Sequence, residues 1–321
     1  MERRSRINRY PTKDKEHRID TPSARHKRIF KLLDPFYSFK FLTTSAINYL
    51  EPVNAIYNSK ELGYLYQAPN FYLDRDPEQQ KSRAYHYRDA IYSIDDAGKR
   101  CLAKEGYVWR EAKHRSSEFA HEFNIDIGFY LPMMVAVKDD PAFTLIDTRN
   151  LFDHANMPRA TRASETPFTV LIDGERVRLD GRPVVLNRTR GDKTASICIP
   201  GIQHERNTKG VRVKDLDRSS VGKHVRHAIA AHVQRLYEKH FGFDNFILPF
   251  LFTNESQMRL TLDYIEELRP RGCEFIICKT FSDLAHLDRF PKPSAELFMS
   301  PWRRAGLCDF TFDQEAFFPT P

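Results

Sequence analysis

Three short amphipathic segments follow one another near the start of the chain. Apolar residues recur at i, i+3 and i+4 in RHKRIFKLLDP, residues 25–35, and the final proline ends this first predicted helix. The stretch Thr43-Thr44-Ser45 favours a second helix, because such side chains cap the free amides of a first turn. Val53–Leu62 has apolar residues on one side and polar residues on the other, which predicts a third helix.

Two segments rich in tyrosine and isoleucine come next. GYLYQAPNFYL and AYHYRDAIYSI flank the charged loop DRDPEQQKSR, which predicts a β-hairpin. Asp95-Asp96 then caps a closing helix, AGKRCLAKEG. Three helices, a hairpin and a helix are the order of a winged helix-turn-helix, which places its third helix in the major groove of DNA and its loop on the backbone.

A different pattern begins at residue 168, where the apolar period changes from that of a helix to two. Short strands separated by the Asp-Gly turns at 173–174 and 180–181 lead into PVVLN and into 194–199. The later chain predicts, in order, a long helix from Ser219-Ser220 to Gly242, a strand over 246–253, a helix over Glu255–Leu268 and a strand over Glu274–Cys278. Strands that alternate with helices indicate a mixed sheet covered by helices.

These patterns predict an α+β protein with two folded domains. We expect a disordered basic arm over 1–24, a winged-helix domain over 25–110, an α/β domain with a mixed sheet over 115–290 and a C-terminal surface extension over 291–321. In the extension, Phe298 and Trp302 are expected to pack on the surface. A chain with 41 % hydrophobic and 29 % charged residues can form packed cores.

The composition predicts where the protein is located and argues against disulfide and zinc-thiolate sites. No apolar run approaches the length of a membrane span, so we expect a cytoplasmic protein without a membrane partner. The 5 cysteines are scattered without a CxxC pair, which supports neither a disulfide framework nor a thiolate zinc site. His224 and His227 lie one helical turn apart, yet no third ligand accompanies them.

The positive charge is concentrated at the start of the chain. Residues 1–31 contain 11 basic and 4 acidic side chains, a surplus of +7, which equals the net charge of the whole chain. A basic arm of this kind, with Arg3, Arg4 and Arg6 at its start, favours contact with nucleic-acid phosphates. The alternative is a solvated tail that only keeps the protein in solution.

The predicted third helix and the hairpin loop supply further candidates for contact with double-stranded DNA. Asn54, Asn58 and Lys60 lie on the polar side of that helix, and Arg75, Lys81 and Arg83 lie in or beside the loop. The alternative is a winged helix that binds other proteins, on which these residues are ordinary solvated side chains.

The stretch IPGIQHERNTKG, residues 199–210, is the strongest candidate for chemistry. In an extended chain Gln203 and Glu205 point to one face. The order helix, hairpin strands, helix, strand resembles the PD-(D/E)XK nucleases, in which an Asp and a Glu-x-Lys hold a divalent metal that activates water. The resemblance places Asp180 at the Asp position and Glu205 on the next strand, as ligands for Mg²⁺ or Mn²⁺.

The whole order of domains resembles the replication-relaxation family of plasmid and mobile-element proteins, a winged helix joined to a PD-(D/E)XK-like, restriction-endonuclease-like domain. The segments that carry the resemblance are RIFKLLD, IYSIDDAGKRCL, RLDGRPVVL, IPGIQHERNT and SSVGKHVRHAIAAHVQRLY, over roughly residues 25–255. It implies a DNA-binding protein of a plasmid, phage or mobile element that acts in replication, mobilisation or transcription control. Replication or mobilisation proteins and a second copy of the chain are the further partners it suggests.

The chain departs from this family pattern at the metal site. Gln203 stands where the family usually has a carboxylate, and an amide binds Mg²⁺ more weakly because it carries no charge. No lysine stands two residues after Glu205, so Lys223 would have to reach in from the following helix. We therefore expect a nuclease-like domain that does not cut DNA. Arg206 and Lys209 then become part of a basic rim for phosphates or of a solvated loop.

Three hypotheses remain open from the sequence. The first is a DNA-binding protein without enzymatic activity. The second is a metal-dependent DNA nuclease that uses Asp180 and Glu205, assisted by Gln203 and Lys223. The third is a protein-interaction scaffold whose basic arm only solubilises it.

Overall fold

The structure is a computed structural model, and its chain divides into two compact units. The first extends to Leu131 and the second begins at Pro132 and includes the chain from Ser294 onward. The residues that the structure describes are 24–51, 55–68, 70–75, 89–107, 119–151, 154–158, 169–172, 174–178, 182–205, 211, 221–280 and 293–318. The basic arm, and with it Arg3, Arg4 and Arg6, lies outside them. The fold is mixed α and β, as the patterns predicted.

The first unit begins with short helices and a small sheet. Its elements are α1 (Ala24–Leu33), α2 (Pro35–Ser38), β1 (Leu42–Thr43), α3 (Thr44–Leu50), α4 (Ala55–Tyr66), β2 (Leu73–Asp74), β3 (Ile91–Ile94) and α5 (Asp96–Ala103). Two predicted caps are confirmed. The Thr43 side chain accepts a hydrogen bond from the amide of Ala46 at the start of α3, and the Asp95 side chain accepts one from the amide of Asp96 at the start of α5.

The sheet of the first unit joins segments that are far apart in sequence. Its strand order is β1-β3-β2, and both pairings are antiparallel. β1, which the sequence patterns did not predict, pairs through Leu42 with Tyr92 of β3. The prediction of a strand at GYLY was wrong, because these residues complete the last turn of α4. The predicted hairpin is present at its base as β2 and β3.

A longer helical segment follows in the chain. It consists of α6 (Phe119–Ile125), a π-helical turn (Asp126–Tyr130) and α7 (Leu131–Asp139). The π-turn is buried along its whole length, including Asp126, whose carboxylate accepts a hydrogen bond of 2.8 Å from the backbone amide of Phe41. Among the described residues, no helix is long and apolar enough to cross a membrane.

The second unit contains most of the strands. Its elements are β4 (Phe143–Ile146), α8 (Thr148–Leu151), β5 (Thr169–Ile172), β6 (Glu175–Arg178), β7 (Val184–Arg190), β8 (Lys193–Ile199), β9 (Gln203–Glu205), α9 (Val221–Val233), α10 (Leu236–Phe241), β10 (Leu248–Phe252), α11 (Glu255–Leu268), β11 (Ile276–Thr280), α12 (Glu296–Met299), β12 (Trp302–Arg304), β13 (Leu307–Phe310) and α13 (Gln314–Phe317).

These strands form a mixed arrangement. β4, β7 and β8 pair antiparallel in that order, and β9, β10 and β11 pair parallel. A parallel bridge between Cys198 of β8 and Phe246, just before β10, connects the two groups. The parallel pairing of β9, β10 and β11 requires crossover connections, and α9, α10 and α11 lie in these crossovers.

Residues 291–321 were expected to form a surface extension. Two strands from this segment instead join the sheet that contains β9, β10 and β11. β12 pairs antiparallel with β11, and β13 with β12. Trp302 and Phe298 are fully buried, and the Trp302 indole donates a hydrogen bond of 3.0 Å to the Phe298 carbonyl. The segment therefore covers the edge of β11 and adds its own aromatic cluster to the core.

The predicted long helix after Ser219-Ser220 is broken. α9 ends at Val233, and Arg235 takes a left-handed conformation with φ 55° before α10 begins. Because the helix ends there, Val233 is 65 % exposed and does not continue the apolar stripe. Gly242, with φ 74°, ends α10, which is where the pattern predicted the end of the longer helix.

Candidate nucleic-acid interface and nuclease-like strand

α4 carries the exposed surface expected of the third helix. Ser59, Lys60 and Tyr64 are exposed, and Lys60 and Tyr64 lie one turn apart on the same face. The expectation that Asn58 faces outward was wrong. Asn58 is 1 % exposed, and its side-chain amide donates a hydrogen bond of 2.9 Å to the Glu51 carbonyl, so it holds α4 to the end of α3.

Arg75 stands where the chain leaves β2 for the predicted loop. Its guanidinium lies 5.9 Å from the ring centroid of Tyr66 and 5.7 Å from that of Tyr92. Cation–π contacts with two rings fix the direction of this half-buried side chain. Asn54, Lys81 and Arg83, the other candidates of this surface, lie outside the described residues.

Two residues of this region were missed as candidates. Tyr64 and Phe71 are both exposed, at 38 % and 52 %. Tyr64 was hidden because its segment was assigned to a strand, although its spacing of four from Lys60 fits a helical face. Nothing in the local pattern marks Phe71, since an aromatic residue near a strand is ordinarily buried.

The start of the chain adds positive charge to this unit. Lys27 and Lys31 are exposed on α1, the first described element. Lys40 is instead engaged in an ion pair, since its amino group lies 3.1 Å from the Glu122 carboxylate. The described part of this unit thus exposes individual lysines, and residues 1–24 contain 7 further basic and 4 acidic side chains.

β9 contains Gln203 and Glu205, two of the residues predicted for a metal site, and it lies beside β10. Gln203 pairs with Phe250 and Glu205 with Phe252, in parallel register. His204 between them is buried at 4 % exposure, whereas Gln203 is half-buried. Alternation along the strand therefore directs His204 inward and leaves Gln203 on the other face, as the pattern predicted.

The expected partners of β9 are only partly described. Asp180, Arg206 and Lys209 lie outside the described residues. β7, which begins at Val184, pairs at that end with Ile199 at the end of β8. Gln203 follows the end of β8, so β9 begins close to the end of the β7–β8 pair that contains Val184 and Ile199.

Lys223 lies in the first turn of α9 with a half-buried side chain. The start of this helix is packed closely. A Cβ atom added at Gly222 would lie 2.2 Å from the carbonyl oxygen of Val211, so the chain between β9 and α9 passes against the helix at that point. This contact constrains the position of the first turn of α9, which carries Lys223.

Metal ligation finds no support in the described part of the chain. Among those residues, no group of three or more His, Cys, Asp or Glu side chains is arranged to hold a metal ion. His224 and His227 of α9 thus form no such group with the described side chains. Asp180 lies outside this description, so the metal hypothesis for Asp180 and Glu205 stays a prediction.

A cavity of about 420 Å³ opens elsewhere in the second unit. Its polar lining includes Asp244, Glu274, Asp309, Asp313, Glu315, Arg304 and His232. The His232 ring stacks on Phe275 with centroids 4.2 Å apart, and burial lowers its pKa despite the neighbouring Glu274. Because carboxylates dominate the lining, the cavity disfavours phosphate, and we do not assign it to the nucleic-acid interface.

Comparisons with known proteins returned no relatives. No protein-family model, no curated protein and no solved structure matches the chain significantly. The functional argument therefore rests on the residues and their arrangement.

Proposed function

We propose that the protein binds double-stranded DNA through its first unit and belongs to a plasmid, phage or related mobile element, where it acts in replication, mobilisation or transcription control. The supporting observation is the strand order β1-β3-β2 around α1, α3 and α4. A strand between the first helices that pairs with the last strand of a hairpin is the arrangement of winged-helix DNA-binding domains. The third helix, α4, is then the groove-binding element.

Charge and exposure favour DNA over a protein partner. Lys60 is exposed on α4, Lys27 and Lys31 are exposed on α1, and the basic surplus of the whole chain lies within residues 1–31. A cationic segment that leads directly into the first helix would follow the phosphate backbone next to the groove that α4 enters.

The test is fluorescence anisotropy with a labelled duplex at several salt concentrations. We expect Lys60→Ala to weaken binding, and removal of residues 1–24 to weaken it further and to flatten the dependence on salt, because fewer counterions are released. Lys193→Ala is the matched control, since Lys193 is an exposed lysine of the β7–β8 hairpin. Unchanged affinity in both altered proteins would contradict the proposal and favour a protein-interaction scaffold.

For the second unit, we propose a nuclease-like domain that does not cut DNA. The support is the chain order, in which the antiparallel β4-β7-β8 group is followed by β9, then by α9 and α10, and then by β10, which pairs parallel with β9; this order is compatible with a PD-(D/E)XK core. Gln203 in place of a carboxylate weakens metal binding, which favours the silent form.

The second candidate function, a metal-dependent DNA nuclease, rests on the same topology and uses Asp180 and Glu205. The active and the silent form can be distinguished by incubating the protein with supercoiled plasmid, in the presence of Mn²⁺ or of a chelator, and analysing the plasmid on a gel. Nicking that requires metal and is lost in Asp180→Ala would establish the nuclease, with Asp192→Ala of the β7–β8 turn as control. Plasmid that is retarded but uncut supports the silent form, and Gln203→Glu should then raise Mn²⁺ affinity in calorimetry.

A further inference from the structure

The chain turns back sharply at the end of α4, and hydrogen bonds fix this turn. The amides of Asn70 and Phe71 donate to the Gln67 carbonyl at 3.0 and 3.3 Å. The Asn70 side chain donates to the Tyr64 carbonyl at 3.0 Å. The amide of Tyr72 donates to the Leu65 carbonyl at 2.8 Å. The backbone of Phe71 is thereby held directly at the end of the helix whose exposed face carries Tyr64.

Two of the aromatic side chains at this turn are exposed. Tyr64 is 38 % and Phe71 is 52 % exposed, and they are the aromatic members among the exposed large hydrophobic residues of the described chain. The others are aliphatic: Val233, Leu260, Leu268 and Leu307. Exposed apolar rings lose the favourable burial that aromatic residues ordinarily obtain, so the presence of two of them at the end of α4, joined through the Asn70 turn, requires a cause.

The backbone gives a second, independent observation. Phe71 has φ 45°, the left-handed region in which glycine and asparagine are favoured and a bulky residue is strained. Neither burial nor backbone geometry therefore accounts for a phenylalanine at this position. Strain and exposure at one residue are typical of a side chain that contacts something outside its own chain.

The charge of the neighbourhood identifies the kind of partner. Lys60 is exposed one turn before Tyr64, and Arg75 follows Phe71 across β2 with its guanidinium on the rings of Tyr66 and Tyr92. The exposed Asp74 turns its carboxylate to the Arg75 amide at 2.7 Å. Flat apolar rings beside separate cations match a nucleic-acid strand, in which bases and phosphates alternate.

We propose that Tyr64 and Phe71 form a stacking platform for unpaired DNA bases, with Lys60 on the adjoining phosphate. The proposal rests on the proposed DNA binding by this unit and adds the form of DNA that it prefers. A paired base offers only its edge to a groove, whereas an unpaired base offers the face that an aromatic ring covers. The preferred substrate is therefore duplex DNA with an opened segment.

The experiment measures anisotropy with three probes of one sequence: a duplex, the same duplex with a central mismatched bubble, and the single strand. We expect Phe71→Gly to weaken binding of the bubble and the single strand about 10-fold and that of the duplex less than about twofold. Phe71→Trp keeps a ring and should retain bubble binding. Leu260→Ala, at an exposed apolar position of α11, is the control.

The folded state of Phe71→Gly is not expected to suffer, because glycine relaxes the left-handed backbone. A base analogue, 2-aminopurine, in the bubble gives a direct readout, since stacking on a ring quenches its fluorescence. We expect quenching with the unaltered protein and its loss in Phe71→Gly.

Three results would overturn the proposal in distinguishable ways. Equal loss on all three probes would show a general DNA contact and leave the proposed function intact. Absence of DNA binding by the unaltered protein would contradict the proposed function itself. Unchanged DNA affinity in Phe71→Gly, together with altered sedimentation, would assign the turn to a protein contact.

Discussion

Both units of the chain bury aromatic rings, and the contrast between them lies in the polar contacts that accompany this packing. In the first, polar side chains connect distant segments: Asp126 accepts from the Phe41 amide, Asp89 from the amide and hydroxyl of Ser45, and Asp34 from the Tyr107 hydroxyl. Aromatic rings are buried in both units, with Phe36, Phe123 and Phe129 in the first and Phe250, Phe252, Phe275, Phe241 and Tyr237 in the second.

This difference follows from the elements available to each unit. Short strands and short helices bury limited apolar area, so polar tethers between segments add order that packing alone does not supply. In the second unit, the parallel strand β10 is buried along its whole length, and such a strand requires apolar side chains on both faces. In the first unit, hydrogen bonds from side chains such as Asp126 and Asp89 therefore fix the positions of segments, whereas the sequence of β10 in the second unit is constrained by its burial.

The largest expected effect tests the aromatic core. Phe250→Ala should lower the free energy of unfolding of the second unit by about 3–5 kcal/mol, because it removes a fully buried ring from β10 and leaves a cavity. Hydrogen exchange of peptides covering β10 and α11 in urea measures the change. Leu260→Ala should alter it by less than about 0.5 kcal/mol, and equal effects of the two substitutions would show that this core is not what stabilises the unit.

Lys279 makes polar contacts within the second unit, so aromatic packing is not the sole kind of contact that stabilises this unit. Its amino group donates at 2.7 Å to the carbonyls of Leu297 and Ser300 and to the Ser300 hydroxyl, and it lies 4.7 Å from the centroid of the Trp302 ring. Lys279→Met should destabilise this unit by about 3 kcal/mol, since acceptors lose their donor. Trp302 fluorescence in a Trp109→Phe background reports it, with Lys193→Met as control. An unchanged free energy of unfolding would show that β12 and β13 are stable without the hydrogen bonds of Lys279.

The same residue makes stability depend on pH. Burial lowers the pKa of Lys279 to about 8 from the usual 10.5, although Glu296 acts in the opposite direction. Between these values the unfolded chain binds more protons than the folded one, so the free energy of unfolding should rise as pH increases from about 8 toward 10.5. Urea midpoints across this range measure the slope. The slope should shrink in Lys279→Met, and an unchanged slope would exclude Lys279 as its source.

A smaller effect tests the polar tethers of the first unit. Asp126→Ala should lower the stability of that unit by about 2 kcal/mol, because the Phe41 amide loses its acceptor in a buried environment. Exchange of the Phe41 amide is the direct readout. Asp126→Asn keeps an oxygen acceptor and should cost less. If alanine and asparagine are equivalent, the hydrogen bond is not the basis of the effect.

The smallest expected effect concerns the glycines of the first unit. Gly63 lies inside α4 with no atom within 4 Å of an added Cβ, so Gly63→Ala should stabilise the unit by about 0.5–1 kcal/mol. Thermal unfolding followed by circular dichroism measures this change. Gly98→Ala is the contrasting variant, because its Cβ would lie 2.3 Å from the Tyr72 carbonyl oxygen and should destabilise. A loss of stability in Gly63→Ala would contradict the exposed position of this face.

The candidate site shows where sequence patterns reach their limit. The strand character and alternation of β9 were predicted, because a period of two directs neighbouring side chains to opposite faces. The burial of Asn58 was not, since a helical pattern gives the angle of a side chain but not the segment that packs against it. The exposed ring of Phe71 depends on a left-handed turn that no periodicity marks.

The sequence by itself determined the elements whose signals are local. α11 spans Glu255–Leu268 as predicted, and the Asn254 side chain caps it by accepting from the amides of Ser256 and Gln257. The caps at Thr43 and Asp95 are likewise as predicted, because a cap and an apolar period act within a turn or two of the residues that carry them.

Only the tertiary structure decided what depends on distant partners. Three features depend on contacts between residues that are far apart in sequence. They are the pairing of β1 with β3, the addition of β12 and β13 to the sheet of β9, β10 and β11, and the break in the helix at Arg235. A two-residue strand such as β1 has too few residues to show a period, and it exists because β3 supplies its hydrogen bonds. Strand pairing depends on residues that are distant in sequence, so the order of strands in the sheets of both units could be read only from the tertiary structure.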